Sequence, residues 1–265
     1  MGKLTYSLAM LSLSVLLFSS CQKEGVTDQL PEADAQAKAN SSSKANTYYG
    51  PQTQMGDGKA RSFITISHEG HPIEYGVAMT KGAMEGLPSM SSSYMLKIHQ
   101  KAMDVTPFEF IMVDWNPAGH EPDFLYQAPH FDFHFYMIPM EERSTIVPGA
   151  NMEKLPPPGY MPANYFPTPG GVPGMGKHWL DENAPELKGL SFTKTFIYGS
   201  YNAKVIFYEP MITREFLLSE KMCTIPFGTP QLFSPNNTWY PSEYKIHRDG
   251  KTGEILVSLG AFSWR

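Results

Sequence analysis

Pro129-His130-Phe131-Asp132-Phe133-His134-Phe135-Tyr136 alternates between polar and phenylalanine positions along its whole length. Side chains of a β-strand point alternately to opposite faces, so His130, Asp132, His134 and Tyr136 share one side while Phe131, Phe133 and Phe135 share the other. One face packs and the other carries chemistry. Ionisable groups in so aromatic a strand need a ligand, a network or water, because burying them without partners costs free energy.

The flanking sequence repeats the strand signal. Residues 61–68 and 71–79 read as a hairpin around Glu69-Gly70, and residues 94–99 and 107–115 as a second pair. Residues 192–198 and 204–211 flank Gly199-Ser200-Tyr201-Asn202, and a last pair surrounds the turn Asp249-Gly250. Helices are expected only at 213–221 and 181–187, the second interrupted at Pro185. Short strands at this spacing predict a mainly β fold, an antiparallel β-sandwich or barrel with one or two short helices. Residues 155–176 alternate Pro156, Pro157, Pro158, Pro162, Pro167, Pro169 and Pro173 with glycines and aromatics, so no regular element is expected there. This long Pro/Gly-rich loop reads as a semi-rigid arm over the sheet or over a subunit neighbour, with an active-site lid as the alternative.

The N-terminus points to the cell envelope. Lys3 supplies a positive n-region, residues 8–18 an apolar stretch too short to span a bilayer, and Phe18-Ser19-Ser20-Cys21 a cleavage site ending in cysteine. This resembles a bacterial lipoprotein signal, which implies a signal peptide over residues 1–20 and lipidation of Cys21. The expected location is the outer membrane or cell surface, with the chain held by its lipid anchor. Residues 21–58 are mainly small and polar and read as a flexible tether, leaving 59–265 as a single β-rich domain. With Cys21 acylated, Cys223 has no partner for a disulfide and reads as a small buried hydrophobe. The net charge of −5 and the absence of any polybasic run disfavour nucleic acid as a partner.

Histidine is the commonest nitrogen ligand of transition metals, and four of the eight histidines fall in suggestive surroundings: His120 beside Glu121, His130 and His134 around Asp132, and His178 before Trp179. On a straight strand His130 and His134 stand about 13 Å apart, so both cannot easily bind one ion. Two models follow. In one, His130 or His134 joins Asp132, His120 and His178 around a divalent transition metal such as zinc, iron, copper or nickel. In the other, Asp132 orients the histidines in a metal-free polar network. Glu209, in a strand-like apolar stretch, and Glu121 are the candidate catalytic carboxylates. Walker, Rossmann, nucleophile-elbow and paired CxxC patterns are absent from the sequence.

The series Trp115-Asn116-Pro117-Ala118-Gly119-His120-Glu121-Pro122, residues 129–136, His178-Trp179-x-Asp181 and Glu209-Pro210-Met211-Ile212-Thr213 resembles a bacterial domain family of unknown function, named after a Thermus protein under sigma-E control. Gly76-Val77-Ala78-Met79 and Gly86-Leu87-Pro88 are similar to its N-terminal part. The resemblance spans about residues 61–218 and implies an exported, β-rich domain without implying a reaction. Two functional classes stay open. One is an enzyme of metal-assisted hydrolysis or related chemistry acting on a small molecule. The other is a non-catalytic binding or self-assembly module, a homo-oligomer whose His/Asp cluster is structural. Detergent phase separation checks the anchor: the chain expressed in a bacterium with its leader enters the detergent phase, and Cys21→Ala leaves it in the aqueous phase.

Overall fold

The computed structural model describes residues 45–219 and 222–265. The expected signal peptide, Cys21 and the tether up to residue 44 lie outside the described residues. The rest of the tether reading is corrected, because β1 (Asn46–Tyr49) and β2 (Thr53–Met55) both pair with β3 (Gly58–Ile66). The ordered domain therefore starts before residue 59. Burial explains the difference: Met55 is fully buried and Tyr48 packs on the main core, which outweighs their polar neighbours.

β3 turns into β4 (Pro72–Met79) as the expected hairpin. The middle of the chain then builds one sheet by itself: β5 (Ser92–Lys97), β6 (Phe110–Asn116), β7 (His130–Tyr136), β8 (Tyr165–Pro167), β9 (Lys177–Asp181), β10 (Lys194–Tyr201) and β11 (Lys204–Thr213), in the order β5-β6-β7-β11-β10-β9-β8. The end of the chain returns to the first sheet. Of β12 (Cys223–Pro226), β13 (Trp239–Tyr240), β14 (Glu243–Arg248), β15 (Ile255–Gly260) and β16 (Ser263–Trp264), three complete the order β1-β3-β4-β15-β14-β12, while β13 and β16 form a small ribbon. All these pairings are antiparallel and neither large sheet closes, which makes the fold a β-sandwich rather than a barrel.

Both sheets contribute their inner faces to one core. Phe131, Phe133 and Phe135 of β7 meet Ile64, Tyr75 and Val77 of the other sheet, and Tyr75 lies edge-on to Phe135 with ring centroids 5.4 Å apart. The helices are short: α1 (Gln100–Met103), α2 (Met140–Ser144) and α3 (Arg214–Leu218). α3 falls where a helix was expected, its first turn capped by the Thr213 hydroxyl, which accepts from the Phe216 N–H at 3.2 Å. The other expected helix is replaced by the end of β9 and a single 3-10 turn over Pro185–Lys188, which Pro185 can open because it has no N–H to leave unpaired. The proline-rich arm does hold one regular element, β8. It pairs with β9 at the sheet edge, where Pro167 costs no ladder bond.

Phe133 is fully buried and sits opposite Val113 in the centre of the second sheet. Phe133→Ala is expected to lower the unfolding free energy by roughly 3–5 kcal/mol through lost burial and the cavity left behind. Urea denaturation measures this, and a loss below about 1 kcal/mol would contradict the assigned core face.

Candidate functional site

The outer face of the second sheet gathers the polar residues through register. Asp114 on β6 stands opposite Asp132 on β7, and Asn116 opposite His130. On the other side of β7, Met211 of β11 stands opposite Asp132, and Glu209 lies two residues before Met211 on the same strand face. Glu209 pairs with Ile197 of β10, and Gly199, two residues on, pairs with His178 of β9. His120 arrives from the turn after β6. Gly119 there has φ +72°, and a Cβ on it would fall 2.0 Å from the Tyr126 carbonyl, to which the His120 N–H donates at 3.1 Å. Only glycine allows this close crossing, and the crossing brings His120 over Asp132.

The sequence-derived candidates divide into two groups. In the first, His130 Nε2 lies 3.0 Å from Asp132 Oδ1 and His120 Nε2 lies 3.3 Å from Asp132 Oδ2. Backbone carbonyls hold the far side of both imidazoles: His130 Nδ1 is 2.7 Å from the Ala128 oxygen and His120 Nδ1 is 2.6 Å from the Glu121 oxygen. Carbonyls only accept, so each Nδ1 carries a proton, and Nε2 is in each ring the nitrogen on the carboxylate side. Asn116 Nδ2 donates to Asp132 Oδ2 at 2.7 Å.

In the second group, His134 Nε2 is 3.3 Å and His178 Nε2 3.7 Å from the Glu209 carboxylate. His134 Nδ1 is 3.1 Å from Asp114 Oδ2. Each group of three offers one ligand atom per residue, all within 4.8 Å of one another. His130 and His134 thus belong to different groups. His178 and Glu209 gather around His134 rather than around Asp132.

Seven buried polar atoms here lack a directed hydrogen-bond partner, of eleven such atoms among the described residues: both Asp114 oxygens, both His134 nitrogens, His130 Nε2, Asp132 Oδ1 and Glu209 Oε2. Nitrogen and oxygen stand close, but the ring N–H directions miss the carboxylates. In a buried setting such orphaned atoms are costly, and here they concentrate at one place.

Electrostatics follow from that crowding. Burial opposes a charge on His120, but the adjoining Asp132 carboxylate wins and raises its pKa to about 9. Burial likewise opposes charging of His134, yet Glu209 and then Asp114 lift it to about 9. Burial pushes Glu209 up to about 8, with Asp132 and Asp114 adding to the rise and His134 opposing it. His178 goes the other way, down to about 3, through burial and the neighbouring His134. Burial works against the Asp132 charge, but His120 and His130 hold its carboxyl well below the usual range.

A cavity of about 670 Å³ is lined by His120 and Asp132 of the first group and by His134, His178 and Glu209 of the second, while His130 is fully buried and does not line it. Two apolar clusters flank this polar floor. One contains Phe110, Met112, Tyr136 and Phe207, the other Tyr126, Leu180, Ile197 and Met211. Thr168, Pro169, Val172 and Met175 of the arm and its end line the cavity, so the arm borders the site. Glu121 also lines it but is exposed and joins neither group of three. Asp114 and Asn116 escaped the sequence reading. Alternation within Phe110–Asn116 puts Met112, Asp114 and Asn116 on one face, but the register that faces them to β7 is not written in either strand alone.

The family model described as "TTHB210-like: Hypothetical protein TTHB210" matches residues 67–115. This is the family that the sequence resembles, and the match covers β4, β5 and all but the last residue of β6 while stopping before His120 and β7. No curated protein and no solved structure matches the chain.

These protonation preferences set a pH dependence. Between pH 6.5 and about 9 the unfolded chain has released the protons of His120 and His134 while the folded chain retains them, and Glu209 keeps its proton from 4.5 to about 8. The folded state then binds more protons, so its stability falls as pH rises through this window. His178 acts in the opposite sense only below 6.5. In chelator, calorimetry is expected to show Tm decreasing from pH 6.5 to 9, and a rising Tm there would contradict the assigned environments.

Proposed function

We propose that the chain is an envelope-anchored lipoprotein whose sandwich domain binds a divalent transition metal through His120, His130 and Asp132 at the floor of the cavity. One observation carries the reading. Backbone carbonyls hold both Nδ1 protons, which leaves the two Nε2 atoms facing one carboxylate, His130 3.0 Å from Oδ1 and His120 3.3 Å from Oδ2, with one ligand atom of each residue within 4.8 Å of the others. A donor set of two imidazoles and one carboxylate, without thiolate, favours zinc, iron, nickel or copper over calcium or magnesium.

A cation held there supplies Lewis acidity toward a carbonyl or phosphoryl oxygen, which supports hydrolysis of a small molecule as the reaction class. The protein's own residues do the remaining work. Asn116 holds one Asp132 oxygen, and the turn at Gly119 presents His120. Trp115, Tyr126 and Met211 give the cavity apolar walls that exclude water and take the carbon skeleton of a ligand. Of the two candidate catalytic carboxylates, Glu121 is the one that reaches solvent at the cavity edge and stays outside both groups, so it is the one placed to exchange protons.

Elemental analysis tests the reading on protein purified without a histidine tag, stripped and reloaded with zinc. The expected outcome is stoichiometric metal that His130→Ala and Asp132→Asn each reduce by at least one equivalent. Absence of stoichiometric metal in the parent protein would leave the histidines and carboxylates as a proton-filled network in a binding module.

A further inference from the structure

We infer that His134, His178 and Glu209 bind a second divalent transition cation of the same chemical class, beside the first and in the same cavity. This rests on the proposed metal site, but its ligands are separate. The two groups share no residue, and Asp132 and His134, two apart on β7, have Cα atoms about 6.6 Å from each other. One ion cannot serve both groups, whereas two neighbouring ions can.

The second group meets the requirements independently. It is again two imidazoles and one carboxylate, with ligand atoms within 4.8 Å. His134 and Glu209 are each 1% exposed, and His134 Nε2 and Glu209 Oε2 have no directed partner although both residues face the cavity. Asp114 stands 3.1 Å from the far nitrogen of His134, close to it without a directed hydrogen bond. A rigid aromatic support backs both rings: the Phe207 ring centroid is 4.9 Å from that of His134 and 5.4 Å from that of His178. Phe207 can take that place only because residue 199 is glycine, since a Cβ there would lie 2.1 Å from the phenyl ring.

Asp114, Asp132 and Glu209 are all buried around the floor, so the site holds carboxylates enough to serve two cations.

The test counts cobalt(II) bound per chain after chelator stripping, titration and desalting of tag-free protein, with the two histidine variants in parallel. Two equivalents are expected in the parent, one in His178→Ala and one in His130→Ala. A parent count of one, lost in His130→Ala and kept in His178→Ala, would overturn the second site and leave the first standing. Zero in the parent would overturn both. Two equivalents retained in His178→Ala would also overturn the inference by placing the second ion elsewhere. If circular dichroism shows His178→Ala unfolded, Glu209→Gln replaces it with the same expected loss of one equivalent.

Discussion

A strand buried on both faces is the constraint on which this molecule is built. All seven residues of β7 are buried, so the two-residue period that sends three phenylalanines into the sandwich sends two histidines and an aspartate into a second enclosed space. The first space needs only apolar filling. The second needs counter-charges, and the neighbouring strands supply them in register, with Asp114 on one side and Glu209 on the other. The turn at Gly119 and the proline-rich arm then close over a face that an ordinary sandwich leaves to water.

Imidazoles and carboxylates within 3.0–3.7 Å of one another, without directed hydrogen bonds, place a demand for positive charge in surroundings rich in aromatic rings. The low dielectric of the flanking apolar clusters makes that demand stronger than it would be at the surface. Protons satisfy it, as would the proposed metal ion, and the backbone carbonyls behind His120 and His130 hold each Nδ1 proton outward so that Nε2 is the inward nitrogen.

Much of this was legible in the chain. The alternation at His130 identifies both the strand and its faces, and the hairpins at β3–β4 and β10–β11 are written in local turn chemistry. Strand rise alone separates His130 from His134. Other parts depend on pairings that no local stretch contains. Asp114 acquires meaning only because β6 lies beside β7 in one register, and Glu209 meets His134 and His178 only because β11 is inserted between β7 and β10. Composition misled at residues 46–55, where a few buried side chains outweigh a polar background, and at β8, where edge pairing tolerates proline.

The division of the sheets along the chain has a consequence for how the molecule comes into being. The site-bearing sheet is made of consecutive strands, whereas its partner joins β1–β4 from one end of the chain to β12, β14 and β15 from the other. β15 is inserted between β4 and β14, so the first sheet is only a fragment until nearly the last residues arrive. Until then the phenylalanine face of β7 has no lid, and the open edge of β4 is a template for strands of another chain. A polypeptide ordered in this way gains by remaining unfolded until it is entire, a condition compatible with passage across a membrane before folding.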